Sequence, residues 1–73
     1  MTKEEIKEFS YRISQSSKTE LVVITYDIII NYLESAKEAY NENDFGSFNF
    51  NIKKAKQFVN DFHYKLLLQI QDN

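Results

Sequence analysis

A chain of 73 residues with a single glycine and no proline has few places to reverse sharply. Hairpin turns draw on Gly, Pro, Asn-Gly and Asp-Gly steps, so a sheet that must turn every few residues is poorly served here. The sequence favours a few long helices. Only two polar breaks interrupt it, Ser14 to Ser17 and Asn41 to Gly46. They leave a short leading segment and two long ones, with no internal repeat and no linker long enough to separate domains.

Thr2 precedes the first segment with Glu5 three residues on, a capping-box spacing, and Glu4 and Glu5 fall in the first turn where the helix dipole favours carboxylates. Ile6, Phe9 and Ile13 follow at helical spacing, which predicts a helix over 3–14. So short a helix is marginal alone and holds only by docking its apolar stripe on something larger. Ser17 with Glu20 repeats the capping spacing ahead of a second helix, predicted over 18–42. Along it Val22, Tyr26, Ile29, Leu33, Ala36 and Tyr40 recur by fours and threes. The β-branched run from Leu21 to Ile30 favours a strand locally, but the stripe continues far beyond the length of an ordinary strand. Asp44 is the predicted N-cap of a third helix over 45–70, with the stripe Phe45, Phe48, Ile52, Ala55, Val59, Phe62, Leu66 and Ile70. A short connection makes the two long helices antiparallel neighbours. The expected fold is all-α, an antiparallel bundle of a short leading helix and a long helical hairpin.

That hairpin has more apolar circumference than it can cover. At about 100° per residue the apolar positions between Leu21 and Leu33 sweep roughly 220°, about twice the stripe of an ordinary surface helix. Asp27, Asn31, Glu34 and Glu38 mark the wet side, Leu21, Ile24 and Ile28 one flank, and Val23 and Ile30 the other. On the third helix Phe50, Phe58, Tyr64 and Leu68 lie off the main stripe. Such a surface is expected to be covered, either by a second copy that completes a four-helix bundle through dimerisation or by another protein. The expected partner-binding residues are Leu21, Ile24, Ile28 and Tyr32 along one flank, with Tyr26 near the hairpin core.

The side chains that carry catalysis are sparse. With no cysteine, neither a disulfide, a thiolate metal cage nor a thiol nucleophile can form, which matches a reducing compartment such as the cytoplasm. The only histidine, His63, falls between Val59 and Leu66 and reads as a packing residue. Glu8 with Arg12, and Asp61 with Lys65, have the spacing of surface ion pairs rather than of a catalytic carboxylate dyad. Lys53, Lys54 and Lys56 fan over different faces, and a net charge of −2 argues against nucleic acid as the main ligand. A single glycine excludes a phosphate-cradling loop. The longest apolar run, Leu21 to Ile24, is too short for a membrane span or a secretory signal. The expectation is a protein that binds, with no enzyme activity and no cofactor.

Read in order, Ser17-Lys18-Thr19-Glu20-Leu21, Thr25-Tyr26-Asp27, Ala36-Lys37-Glu38-Ala39, Asp44-Phe45 and Ile52-Lys53-Lys54-Ala55 resemble the FliS family of flagellin export chaperones. That family has a Ser-Pro-x-Glu-Leu helix start, a Leu-Tyr-Asp or Leu-Tyr-Glu step in the same helix and a Lys-Ala pair in the next. The likeness covers about residues 9 to 66. Here Lys18 stands in place of the proline, Thr25 in place of the leucine, and Ile28 in place of a small residue after the acid. The family's bundle also has one or two helices more. The resemblance implies a cytoplasmic chaperone that binds the disordered C-terminal region of flagellin, orders it as helices against apolar grooves, and prevents premature polymerisation. It also implies a leading segment that covers a groove in the free protein, with Ile6, Phe9 and Ile13 as the apolar plug. The alternative is a helical dimerisation or adaptor module that does not bind flagellin.

Overall fold

The structure, a computed structural model, describes residues 1–71, with side chains as far as Leu68. Three helices account for nearly all of it: α1, Lys3–Ser14; α2, Lys18–Asn41; and α3, Phe45–Gln71. Each begins on a side-chain cap. The Thr2 hydroxyl accepts from the Glu5 amide at 3.1 Å while the Glu5 carboxylate accepts from the Thr2 amide at 3.0 Å, a reciprocal box. Ser17 Oγ accepts from the Glu20 amide at 3.2 Å, and Asp44 Oδ1 accepts from the Ser47 amide at 3.1 Å.

The reversal between α2 and α3 takes only Glu42, Asn43 and Asp44. Asn43 adopts φ 60°, the left-handed conformation that closes a helix, and asparagine is among the few non-glycine residues that tolerate it. The Asp44 amide then donates to Ala39 O at 2.8 Å and the Asn43 amide to Tyr40 O at 3.1 Å. These two bonds form a Schellman motif. Asp44 thus ends one helix and caps the next, which leaves α3 no direction but back along α2.

The hairpin seam is not the one the stripe predicts. Ile24, Ile28, Ile29, Tyr32, Ala36 and Ala39 are buried on α2, and Asn51 and Ala55 on α3. Of the predicted stripe only Ile29 and Ala36 enter the seam, whereas Val22, Tyr26, Leu33 and Tyr40 stay exposed. Ile24, Ile28 and Tyr32, expected on a flank open to a partner, are instead the intramolecular core. On α3 the off-stripe Phe58 turns inward and stacks on Tyr32 with ring centroids 5.8 Å apart, while Phe45, Val59 and Leu66 stay exposed. The side chain of Ile70 lies outside the described residues. The reason is size: Ala36, Ala39 and Ala55 are small enough to let the backbones approach, and the seam runs along these residues and the buried isoleucines rather than along the centre of the apolar arc. Asn51 is tolerated in the seam because its amide donates to Ser47 O at 2.8 Å within its own helix.

The wet side of α2 is also not simply wet, because α1 lies on it. Arg12 Nη2 meets Asp27 Oδ2 at 2.8 Å, and Asn31 Nδ2 donates to Glu5 Oε2 at 2.6 Å. The expected Glu8–Arg12 and Asp61–Lys65 pairs do not form, and Arg12–Asp27 is the one ion pair among the described residues. His63 is exposed rather than packed.

The resulting body is elongated. Its radius of gyration, 14.0 Å, exceeds the about 11 Å of a compact domain of this length. Its accessible surface, 5950 Å², is about 1,200 Å² more than a folded monomer of 8.7 kDa ordinarily exposes. Among the described residues no large side chain is fully buried. The core is a thin seam between two rods.

Candidate partner-binding surface

Part of the missing burial lies along one side of the hairpin. Val22, Ile29 and Leu33 recur by seven and four along α2, and Ile52, Val59 and Leu66 by seven along α3, so each set lines one edge of a shared trough. The helices run antiparallel, which sets Val22 beside Leu66 and Leu33 beside Ile52 and Val59. The trough comprises two separate depressions with the Tyr26–Phe62 contact between them: about 180 Å³ bounded by Leu21, Val22, Thr25, Phe62 and Leu66, and about 330 Å³ bounded by Ile29, Leu33, Ile52, Ala55 and Val59. Val22 is 37% exposed, Leu33 46% and Val59 48%, values of side chains seated on a surface that nothing covers. From Val22 to Leu33 the trough is about 17 Å long, about three turns of a helix laid in it.

Tyr26 stands at the trough's lip, half-exposed, with its ring 5.6 Å from that of Phe62. Beyond the trough, Val23 and Ile30 on α2 and Phe50, Tyr64 and Leu68 on α3 are also exposed, as their positions off the stripes predict.

The opposite side of the hairpin is closed by α1, though not as a plug of Ile6, Phe9 and Ile13. Met1, Glu5, Phe9 and Arg12 follow one another by four, four and three and form the docking face. Met1 and Phe9 pack on the cluster of Ile24, Ile28, Tyr32 and Ala55, and the Arg12 guanidinium lies 5.5 Å over the Phe9 ring. Ile6 and Ile13 fall to the side of this face and are 49% and 44% exposed. Two polar contacts fix the register of α1, and Glu5 serves both helix and dock. Its Oε1 accepts from the Thr2 amide and its Oε2 from Asn31. These donors, the Thr2 amide first and the Asn31 amide second, hold the Glu5 carboxyl below its usual range. The Ser47 amide does the same for Asp44.

Of the residues expected to bind a partner, Leu21 lines the trough and Tyr26 borders it, while Ile24, Ile28 and Tyr32 are committed to the fold. Composition alone did not single out Val59, Leu66 and Leu33 as surface residues, because they sit on stripes that read equally well as core. Among the described residues no group of three His, Cys, Asp or Glu side chains is placed to hold a metal, and no helix is long and apolar enough to cross a membrane. Comparison with known proteins gives no match to a family model, to a curated protein or to a solved structure.

Proposed function

We propose that this chain is a helix-capturing chaperone of the FliS kind, which holds the C-terminal region of flagellin as a helix in the trough and so blocks premature polymerisation. The observation that carries the reading is the trough itself: three turns long, apolar, and open on a molecule that exposes about 1,200 Å² beyond the norm for its mass. A standard protein interface removes about 800 Å² from each partner, so one amphipathic helix is an occupant of the right size. The mode is helix-in-groove recognition, in which apolar anchors at helical spacing supply affinity and a disordered client loses chain entropy on ordering. The residues assigned to the client are Leu21, Val22, Leu33, Val59 and Leu66, with Tyr26 at the lip. The order and spacing of the Glu20-Leu21, Tyr26-Asp27 and Lys54-Ala55 steps support flagellin as that client, and the cytoplasm is the compartment this work requires.

A second reading has its own observation. Val23 and Ile30 are 54% and 50% exposed on a side of α2 that a helix in the trough does not reach. They favour self-association, with two hairpins pairing into a four-helix bundle, and a chain that did only this would be a dimerisation module. Affinity capture with flagellin, and with flagellin lacking its C-terminal region, separates the two readings. Capture that is lost on truncation supports the chaperone; no capture of either form, together with a solution mass of two chains, supports the dimerisation module.

A further inference from the structure

The outward side of α2 carries a second periodicity. Val23, Tyr26, Ile30, Leu33, Lys37 and Tyr40 follow one another by three, four, three, four and three. This is the heptad spacing by which two helices pack along a common seam, with Val23, Ile30 and Lys37 at its first position and Tyr26, Leu33 and Tyr40 at its fourth. At about 100° per residue all six fall within an arc of roughly 100°, on the far side of α2 from the buried Ile24, Ile28 and Tyr32. The five apolar members are between 46% and 59% exposed, and Lys37 is exposed beside them. Tyr26 leans its ring on Phe62, and Tyr40 on Phe45 and Phe48, so the stripe is braced by α3 without being covered.

We propose that this stripe pairs with the same stripe of a second copy, the two α2 helices running antiparallel about a twofold axis that passes between Ile30 and Leu33. In that arrangement first positions of one copy pack against fourth positions of the other: Ile30 meets Leu33, Val23 meets Tyr40, and Lys37 meets Tyr26. Lys37 decides the direction. A parallel pair would set it against its own counterpart inside an apolar seam, whereas the antiparallel pair lays its ammonium on the Tyr26 ring of the second copy, next to Asp27. Lys37 has no ion-pair partner of its own among the described residues. Along the edge of the stripe nearer α1 each copy brings Asp27 and Glu34, and each matches them with Arg12, 2.8 Å from Asp27, and with Lys37. A foreign helix would have to supply both an apolar stripe and carboxylates in register with Lys37; this chain already carries both.

This inference gives the self-association of the second reading a seam and a direction, and rests on it. About two and a half heptads make a shorter seam than that of a lasting coiled coil, so the pair dissociates on dilution. Leu33 belongs to the stripe and to the trough alike, so a second copy and a client seated on Leu33 exclude each other. The test mixes the full-length variants Val23→Cys and Tyr40→Cys, one of them isotope-labelled, in a chain with no other thiol, and identifies by mass the disulfides formed on mild oxidation. The bonds should join unlike variants, and neither variant alone should cross-link, because the two copies of Val23 lie about 26 Å apart at opposite ends of the seam. Sedimentation of the unaltered chain should pass from the mass of two chains to that of one over a dilution series. Ile30→Asp, at an exposed position outside the trough, should keep its helical circular dichroism and weaken pairing at least about tenfold, since it sets a carboxylate against Leu33. Cross-links within either variant alone overturn the proposal, as does a single-chain mass at every concentration or a pairing that Ile30→Asp leaves unchanged. Cross-links between unlike variants in a chain that does not capture flagellin support the seam and remove only the client reading; capture by a chain that forms no such cross-link overturns the seam alone.

Discussion

Asn43 carries the topology of the molecule in one dihedral angle. At φ 60° a β-branched side chain is strained while glycine is relaxed, so Asn43→Gly should leave stability within a few tenths of a kcal/mol and Asn43→Val should cost about 1–2 kcal/mol. Urea melts followed by helical circular dichroism would register the difference. Glu5 makes a second prediction at this scale. Its folded pKa lies below the ordinary glutamate value of 4.5, so the stability it contributes is present above that value and is lost as pH falls through the folded pKa. Asp44, lowered from 3.8, behaves in the same sense at the hairpin turn. Acidification below the ordinary carboxylate range should therefore loosen both α1 and the α2–α3 turn. Glu5→Gln should abolish the part of this response that belongs to α1, as read by amide exchange across Lys3–Ser14 or by paramagnetic broadening from a label on that helix.

At the scale of elements, α1 and the hairpin differ in how they are held. The hairpin rests on buried isoleucines and on the Tyr32–Phe58 stack, whereas α1 rests on Met1, Phe9 and two polar contacts. Phe9→Ala should release α1, seen as faster amide exchange over 3–14, with the melting of α2 and α3 nearly unchanged. Arg12→Ala should have a smaller effect, because the Arg12–Asp27 pair is more than a third exposed at both ends and such pairs contribute about 0–1 kcal/mol. Ile28→Ala should cost about 2–5 kcal/mol, enough to unfold much of so small a domain at room temperature. The capping residues and the breaks between helices were legible in the sequence because they depend on neighbours a few positions away. The seam was not. An apolar arc of roughly 220° contains several stripes of correct period, and periodicity alone does not choose among them. Ala36, Ala39 and Ala55 held the signal, since small residues mark where helices approach most closely. The seat of α1 escaped notice for a different reason: Asp27 and Asn31 read as solvated until Arg12 and Glu5 are set opposite them, a match between residues far apart in the chain.

For the whole molecule, the decisive quantity is surface. A chain of 8.7 kDa that exposes 5950 Å² has buried too little of itself, and one helix in the trough would cover part of the shortfall. The trough is therefore the centre of the account, with the flagellin reading built on it. The chain has no cysteine, so a single thiol placed at Leu33→Cys reports on the trough alone. The most direct measurement is the rate at which that thiol reacts with a maleimide, with and without saturating flagellin. The account expects rapid reaction in the free chain and at least about tenfold slowing when the client is bound, the protection expected of a side chain at the desolvated centre of an interface. A rate unchanged by a client shown to be bound would place the binding surface elsewhere and contradict it.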